Sequence, residues 1–138
     1  MEEWLLIGNL MVTAVLFGLI WVVQLVHYPG FIHIHPSSFN SFHAMHTRNI
    51  SFFVAPMMVV ELVLAVLLVF INSSSPGWWG HLFITLAIWT STFIVQVPLH
   101  AKLSSGKDEF LIRKLIRSNW ARTILWSLKL PIALYLAI

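Results

Sequence analysis

The sequence predicts an all-α integral membrane protein folded as an up-down four-helix bundle, and three observations predict it. Apolar residues make up 59% of the chain and charged ones 9%, against about 25% charged in soluble domains. The apolar residues fall into four runs, each close to the roughly 20 residues that a helix needs to cross a bilayer. Short polar segments separate the runs, and inside lipid only a helix satisfies the backbone of a single apolar segment. Four such spans fill the 138 residues, so 1–138 is expected to be one domain without a separate soluble part.

The first span covers residues 4–26. The acidic start at Glu2 and Glu3 argues against a cleaved signal peptide, which begins with positive charge. The segment 31–49 is polar and carries histidines, with Pro36, Ser37 and Ser38 placed to turn the chain and cap a new helix. That second helix is expected to begin before the membrane does, and its apolar part covers 50–71. The run Asn72-Ser73-Ser74-Ser75-Pro76-Gly77 is a strong turn signal. The third span covers 78–99, with Trp78 and Trp79 at one interface, and the fourth covers 120–138. Between them, residues 110–117 alternate apolar and basic groups as a short interfacial helix would, seating the last span.

Arg48, Lys102, Lys107, Arg113, Lys114, Arg117 and Arg122 lie in or beside the first and third loops, while the second loop has no basic residue. The positive-inside rule then puts both termini away from the cytoplasm. The net charge of +3 reflects this topology rather than nucleic-acid binding. The absence of cysteine excludes disulfides, iron–sulfur clusters and thiolate metal sites.

Glu61 and Lys129 fall near the middle of apolar runs, where a charge is expensive and marks function. Glu61 lies ten residues before Ile71, the last of its apolar run, and Lys129 nine before Ile138, so on this topology they share a depth and can pair. One reading makes them a lock between the second and fourth helices. The other makes them a catalytic or transporting pair in which burial and Lys129 tune a proton-accepting Glu61.

A second polar set gathers at the opposite, cytoplasmic end. Gln24, His27 and Tyr28 share a face at the end of the first helix. His43 and His46 are one turn apart, as are Gln96 and His100, and Pro98 frees the carbonyl of Ile94 between the latter two. Asn119, Arg122, Trp126 and Lys129 form one stripe on the fourth helix. His27, His43, His46 and His100 are therefore candidate metal ligands, since imidazoles without thiolates suit zinc, copper, iron or nickel. Two of them from different helices would alternatively hold a haem, with Arg48 or Arg122 on its propionates. Gln24, Gln96, Asn119 and Arg122 would orient a cofactor or substrate. The plainer reading is that such histidines meet only water and headgroups. His33 and His35 read as loop residues, and His81 as an interfacial anchor beside Trp78 and Trp79. Trp89, Trp120 and Trp126 would wall a flat aromatic ligand or simply pack, and Met45, Met57 and Met58 read as packing residues.

The motifs run in the order Gln24-Leu25-Val26-His27-Tyr28-Pro29, Phe42-His43-Ala44-Met45-His46, Gln96-Val97-Pro98-Leu99-His100 and Asn119-Trp120-Ala121-Arg122-Thr123. Over nearly the whole chain this arrangement resembles small four-helix bacterial membrane proteins, and more distantly it is similar to the anthrone-oxygenase-like family. The nearest correspondence lies in the last two motifs, and the His43/His46 pair departs from the family pattern. The resemblance implies a bundle in the bacterial inner membrane and, in some members, an oxygenase acting on polycyclic aromatic substrates. Three functions are then in play: metal- or haem-dependent redox chemistry on a hydrophobic molecule, transport or proton relay through Glu61 and Lys129, and a non-catalytic accessory subunit. The expected partners are the lipid bilayer, a hydrophobic small molecule and further copies of the chain, with no nucleic acid.

Overall fold

A computed structural model describes residues 1–138 as four helices. Helix α1 spans Glu2–His33, α2 Pro36–Ile71 and α3 Pro76–Leu103, each long and apolar enough to cross a membrane. Helix α4 spans Glu109–Ala137. It carries Arg122 and Lys129, both buried, so three helices rather than four reach that apolarity.

Prolines shape two of the helices. In α1 a π-helical turn occupies Val23–His27, and in α3 another occupies Thr92–Gln96. Each closes two residues ahead of a proline, Pro29 and Pro98. A proline offers no amide hydrogen and its ring collides with the carbonyl four residues back. Widening the preceding turn relieves that collision, and such widened turns recur at functional sites. Here the two turns hold Gln24 and Gln96, both buried.

The other boundaries follow from capping. His35 caps α2, its Nδ1 accepting from the Ser37 amide at 3.3 Å, with Pro36 in the first turn. At 36 residues α2 is about 54 Å long, well beyond the ~30 Å hydrocarbon layer, and it begins at Pro36, ahead of the apolar run 50–71. Asp108 caps α4 by accepting from the Leu111 amide at 3.0 Å. No break separates an interfacial helix from the last span: 110–117 are the opening turns of α4 itself. Asn119, placed where a break was expected, spends its amide on Gln24 across the bundle instead of capping a new helix.

Helix α1 packs on α2 and α4, and α3 packs on the same two, giving a square of antiparallel neighbours joined by short loops. Asn72 donates to Glu2 at 2.9 Å at one end. At the other end Lys107 donates to the carbonyls of Ile32 and Ile34 at 2.7 and 2.9 Å, which closes the C-terminus of α1. The outer faces expose Phe52, Phe70, Phe83, Phe93 and Ile94, a surface suited to lipid. A set of polar side chains is turned inward, among them Asn9, Thr13, Gln24, Glu61, Gln96, Asn119, Arg122 and Lys129, and they form the site.

Candidate functional site

Three polar layers stack along the bundle axis. In the deepest, Lys129 Nζ lies 2.7 Å from Glu61 Oε1, and neither side chain has any exposure. Thr13 donates to Glu61 Oε1 at 3.1 Å. The Trp126 indole donates to Oε1 and Oε2 at 3.2 and 3.4 Å. The carboxylate thus has three donors from α1 and α4, whereas the ammonium has no partner beyond Glu61. On the far side His81 is fully buried, with Nε2 3.2 Å from Asn9 Oδ1. It is not the interfacial anchor its neighbours Trp78 and Trp79 pointed to, because Asn9 gives it a polar partner inside the bundle.

The middle layer joins α1 to α4. Gln24 Oε1 accepts from Asn119 Nδ2 at 2.9 Å and from Thr123 at 3.3 Å, and Gln24 Nε2 donates to the Ile116 carbonyl at 3.1 Å. Asn119 Oδ1 in turn accepts from Arg122 Nη1 at 3.2 Å. Gln24 and Asn119 are therefore occupied with each other and with the backbone. Replacing Gln24 with Leu should lower the unfolding free energy by about 1–3 kcal/mol, the cost of leaving Asn119 unsatisfied. A double-mutant cycle with Asn119→Leu, read by chemical unfolding in detergent, should give a loss smaller than the sum of the two. Strict additivity would mean that the two amides do not interact.

The upper layer is the histidine cluster, and it converges from three helices. His43 Nε2 lies 3.0 Å from His100 Nδ1, and His100 Nε2 lies 3.0 Å from the Tyr28 hydroxyl. Each neutral imidazole gives a proton on one nitrogen and accepts on the other, so Tyr28, His100 and His43 form a chain able to pass a proton along itself. Phe39 stacks on His43 at 5.5 Å, and Phe31 meets His46 edge-on at 5.0 Å. Phe31, expected in a polar loop, lies fully buried among these rings. His27 and His46 stand 5.3 Å apart between ring centroids. Their Nδ1 and Nε2 respectively are buried without a partner. Both border a hollow of about 450 Å³ that also includes Met45 and Asn49. No group of three or more His, Cys, Asp or Glu side chains is arranged to hold a metal ion. Both nitrogens of His100 and one of His43 are taken up by hydrogen bonds. His33 and His35 are exposed.

A cavity of about 250 Å³ lies between the histidine cluster and the Glu61 layer. Its walls are mostly apolar, with Leu16, Ile20, Val54, Met58, Trp89, Phe93 and Trp126 among them. Tyr28, Gln96, His100 and Arg122 add polar groups from α1, α3 and α4. Three buried polar atoms on these lining residues have no partner: Gln96 Oε1, Arg122 Nε and Trp89 Nε1. The Arg122 guanidinium lies over the Trp126 ring at 5.2 Å. Trp120 is elsewhere, edge-on to Trp21 at 5.7 Å.

Of the residues the sequence singled out, Gln96 and Arg122 border the cavity, while Gln24 and Asn119 lie behind it. Glu61 and Lys129 lie below, joined to it through Trp126. Thr13 and Asn9 were missed, although Asn9, Thr13, Leu16, Ile20 and Gln24 follow one helical stripe that is buried throughout. Tyr28 was read as a neighbour of His27 and not as a cavity residue.

These features define a class: an all-α, four-helix protein with lipid-suited outer faces and a polar interior around one apolar cavity. Comparison with protein-family models, curated proteins and solved structures finds no match for the chain.

Proposed function

We propose that the chain is a four-span membrane protein that binds a hydrophobic, ring-bearing molecule in the cavity beside Arg122. The observation that carries this reading is the set of unsatisfied polar atoms on an otherwise apolar wall. A buried polar group without a partner costs about 1–3 kcal/mol, so three around one space favour an occupant that supplies the missing acceptors and donor. Apolar walls with a few convergent polar groups are the general form of a small-molecule site. The Tyr28–His100–His43 chain borders the same space and would give a proton to the bound molecule or take one from it.

On this reading α4 crosses the bilayer with its charges turned to the bundle interior. The basic residues at the histidine end put that end at the cytoplasmic face and both termini on the other. Glu61 and Lys129 do not border the cavity, which favours a locking role over a gated path. Mass spectrometry of protein extracted in mild detergent should find a hydrophobic small molecule retained by the wild type and lost from Ala55→Trp, which sets a large ring at the exposed side of the cavity. An identical set of molecules in both would sink the reading.

A second reading, a transition-metal or haem site supporting redox or oxygenase chemistry on that molecule, is favoured by the free nitrogens of His27 and His46. Elemental analysis and an absorption spectrum test it. Near-stoichiometric metal or a haem band in the wild type, absent from His27→Ala/His46→Ala, is the expected result. A metal content unchanged by that double substitution would remove these two histidines from the reading.

A further inference from the structure

Two buried cations sit in the apolar half of α4, and they are provided for differently. Lys129 has the Glu61 carboxylate at 2.7 Å. Arg122 is 6% exposed and has no carboxylate, the remaining ion pair of the molecule being Arg113 with Glu109 on the surface. Its guanidinium reaches the Asn119 amide oxygen through Nη1, the Tyr28 hydroxyl and the face of Trp126, while Nε has no partner. The titratable groups that face it are the Tyr28 hydroxyl and His100, neither of which supplies a counter-charge. A guanidinium carries five N–H donors and no acceptor. An ion taken out of water without a counter-ion costs several kcal/mol, and Glu61 cannot serve because its oxygens are already held by Lys129, Thr13 and Trp126.

Resting on the reading of the cavity as a ligand site, we propose that its occupant is a hydrophobic anion. Its carboxylate or phenolate oxygen lies against Arg122, and its apolar body lies along Trp89 and Met58. Charge-assisted hydrogen bonds to a guanidinium are about twice as strong as neutral ones, and the anion supplies the counter-charge that the protein withholds. The Trp89 indole N–H is a further donor on the same wall. The route in is from the lipid side. Val59 on α2 and Phe93 and Val97 on α3 line the cavity and are also exposed on the outer face of the bundle, so the space opens laterally between these helices. At about 250 Å³ it falls just short of the ~300 Å³ at which small-molecule sites begin. The enclosed part therefore fits a small ring system or a short chain, and anything longer extends through the opening.

The test compares two probes of one shape on the full chain in detergent micelles: 2-naphthoate, an anion, and 2-naphthamide, neutral. Energy transfer from tryptophan to the naphthyl group reports occupancy. The wild type should bind the anion about tenfold more tightly or better, as expected when a charged acceptor replaces a neutral one. That preference should vanish in Arg122→Gln and persist in Arg122→Lys, and Ala55→Trp should weaken both probes. If Arg122→Gln does not fold, the wild-type ratio and Arg122→Lys decide. Displacement by pentafluorophenol, which is ionised at neutral pH, or by decanoate then tells a phenolate from a carboxylate on a chain. Equal affinity for the two probes, with binding still lost in Ala55→Trp, overturns the anion while leaving the cavity as a ligand site. A preference that survives in Arg122→Gln overturns the role of Arg122. No binding of either probe overturns both.

Discussion

Glu61→Gln should be the most destabilising single substitution in the bundle interior, and Lys129→Met should cost less. Removing one partner of a buried ion pair typically costs about 3–5 kcal/mol, because the other charge is left uncompensated. The two partners are unequal here. Without Lys129, the Glu61 carboxylate keeps the Thr13 hydroxyl at 3.1 Å and the Trp126 indole at 3.2 Å. Without the carboxylate, Lys129 is left facing a neutral amide, with no other partner. Lys129→Met is therefore expected near the lower end of the range and Glu61→Gln near the upper. The double variant should recover a large part of the loss, since no unpaired charge remains. Chemical unfolding of the three variants in one detergent measures this. If both single variants keep wild-type stability and lose ligand binding instead, the pair is working with the ligand and not as a lock between α2 and α4.

Replacing His100 with Phe should have the next largest effect, through the opposite end of the bundle. His100 is the middle member of a chain, with one nitrogen 3.0 Å from His43 and the other 3.0 Å from the Tyr28 hydroxyl. A phenyl ring keeps the stacking with the neighbouring rings but leaves both outer members without a partner, at about 1–3 kcal/mol for each buried group. Tyr28→Phe leaves one group, His100 Nε2, without a partner instead of two, so its cost should be about 1–3 kcal/mol, roughly half that of His100→Phe. The ordering is what the chain predicts: His100→Phe well below Tyr28→Phe in unfolding free energy. Equal losses from the two would mean that the cluster is held by ring packing alone.

Much of the architecture was legible because the bilayer leaves a chain few choices. Four apolar runs of span length can only be helices, and turn signals as dense as Asn72 to Gly77 leave little doubt where a loop falls. The boundaries were less legible. Residues 110–117 looked like a separate interfacial helix because apolar and basic groups alternate there, and nothing local tells that the chain stays helical through Asn119, whose amide is needed by Gln24, 95 residues away. Phe31 looked like a loop residue because it opens the His- and Ser-bearing segment 31–49. It is buried because the histidines of α2 and α3 supply a ring environment that no short window of sequence contains.

The sequence by itself determined the fold class, the end of the bundle at which the histidines gather, and the depth at which Glu61 and Lys129 sit. Each follows from composition and from position along a helix of fixed rise, and neither depends on which helix stands beside which. Only the tertiary structure decided what these groups do to one another. Helical spacing fixes which residues share a face, but the direction of that face toward a neighbour is set by packing, and at two places by π-helical turns ahead of Pro29 and Pro98. That packing places Thr13 and Trp126 on Glu61 and spends Gln24 on Asn119. It also divides the four histidines into a hydrogen-bonded pair joined to Tyr28 and two with free nitrogens, and leaves Arg122 beside an apolar cavity as the one buried cation without an anion.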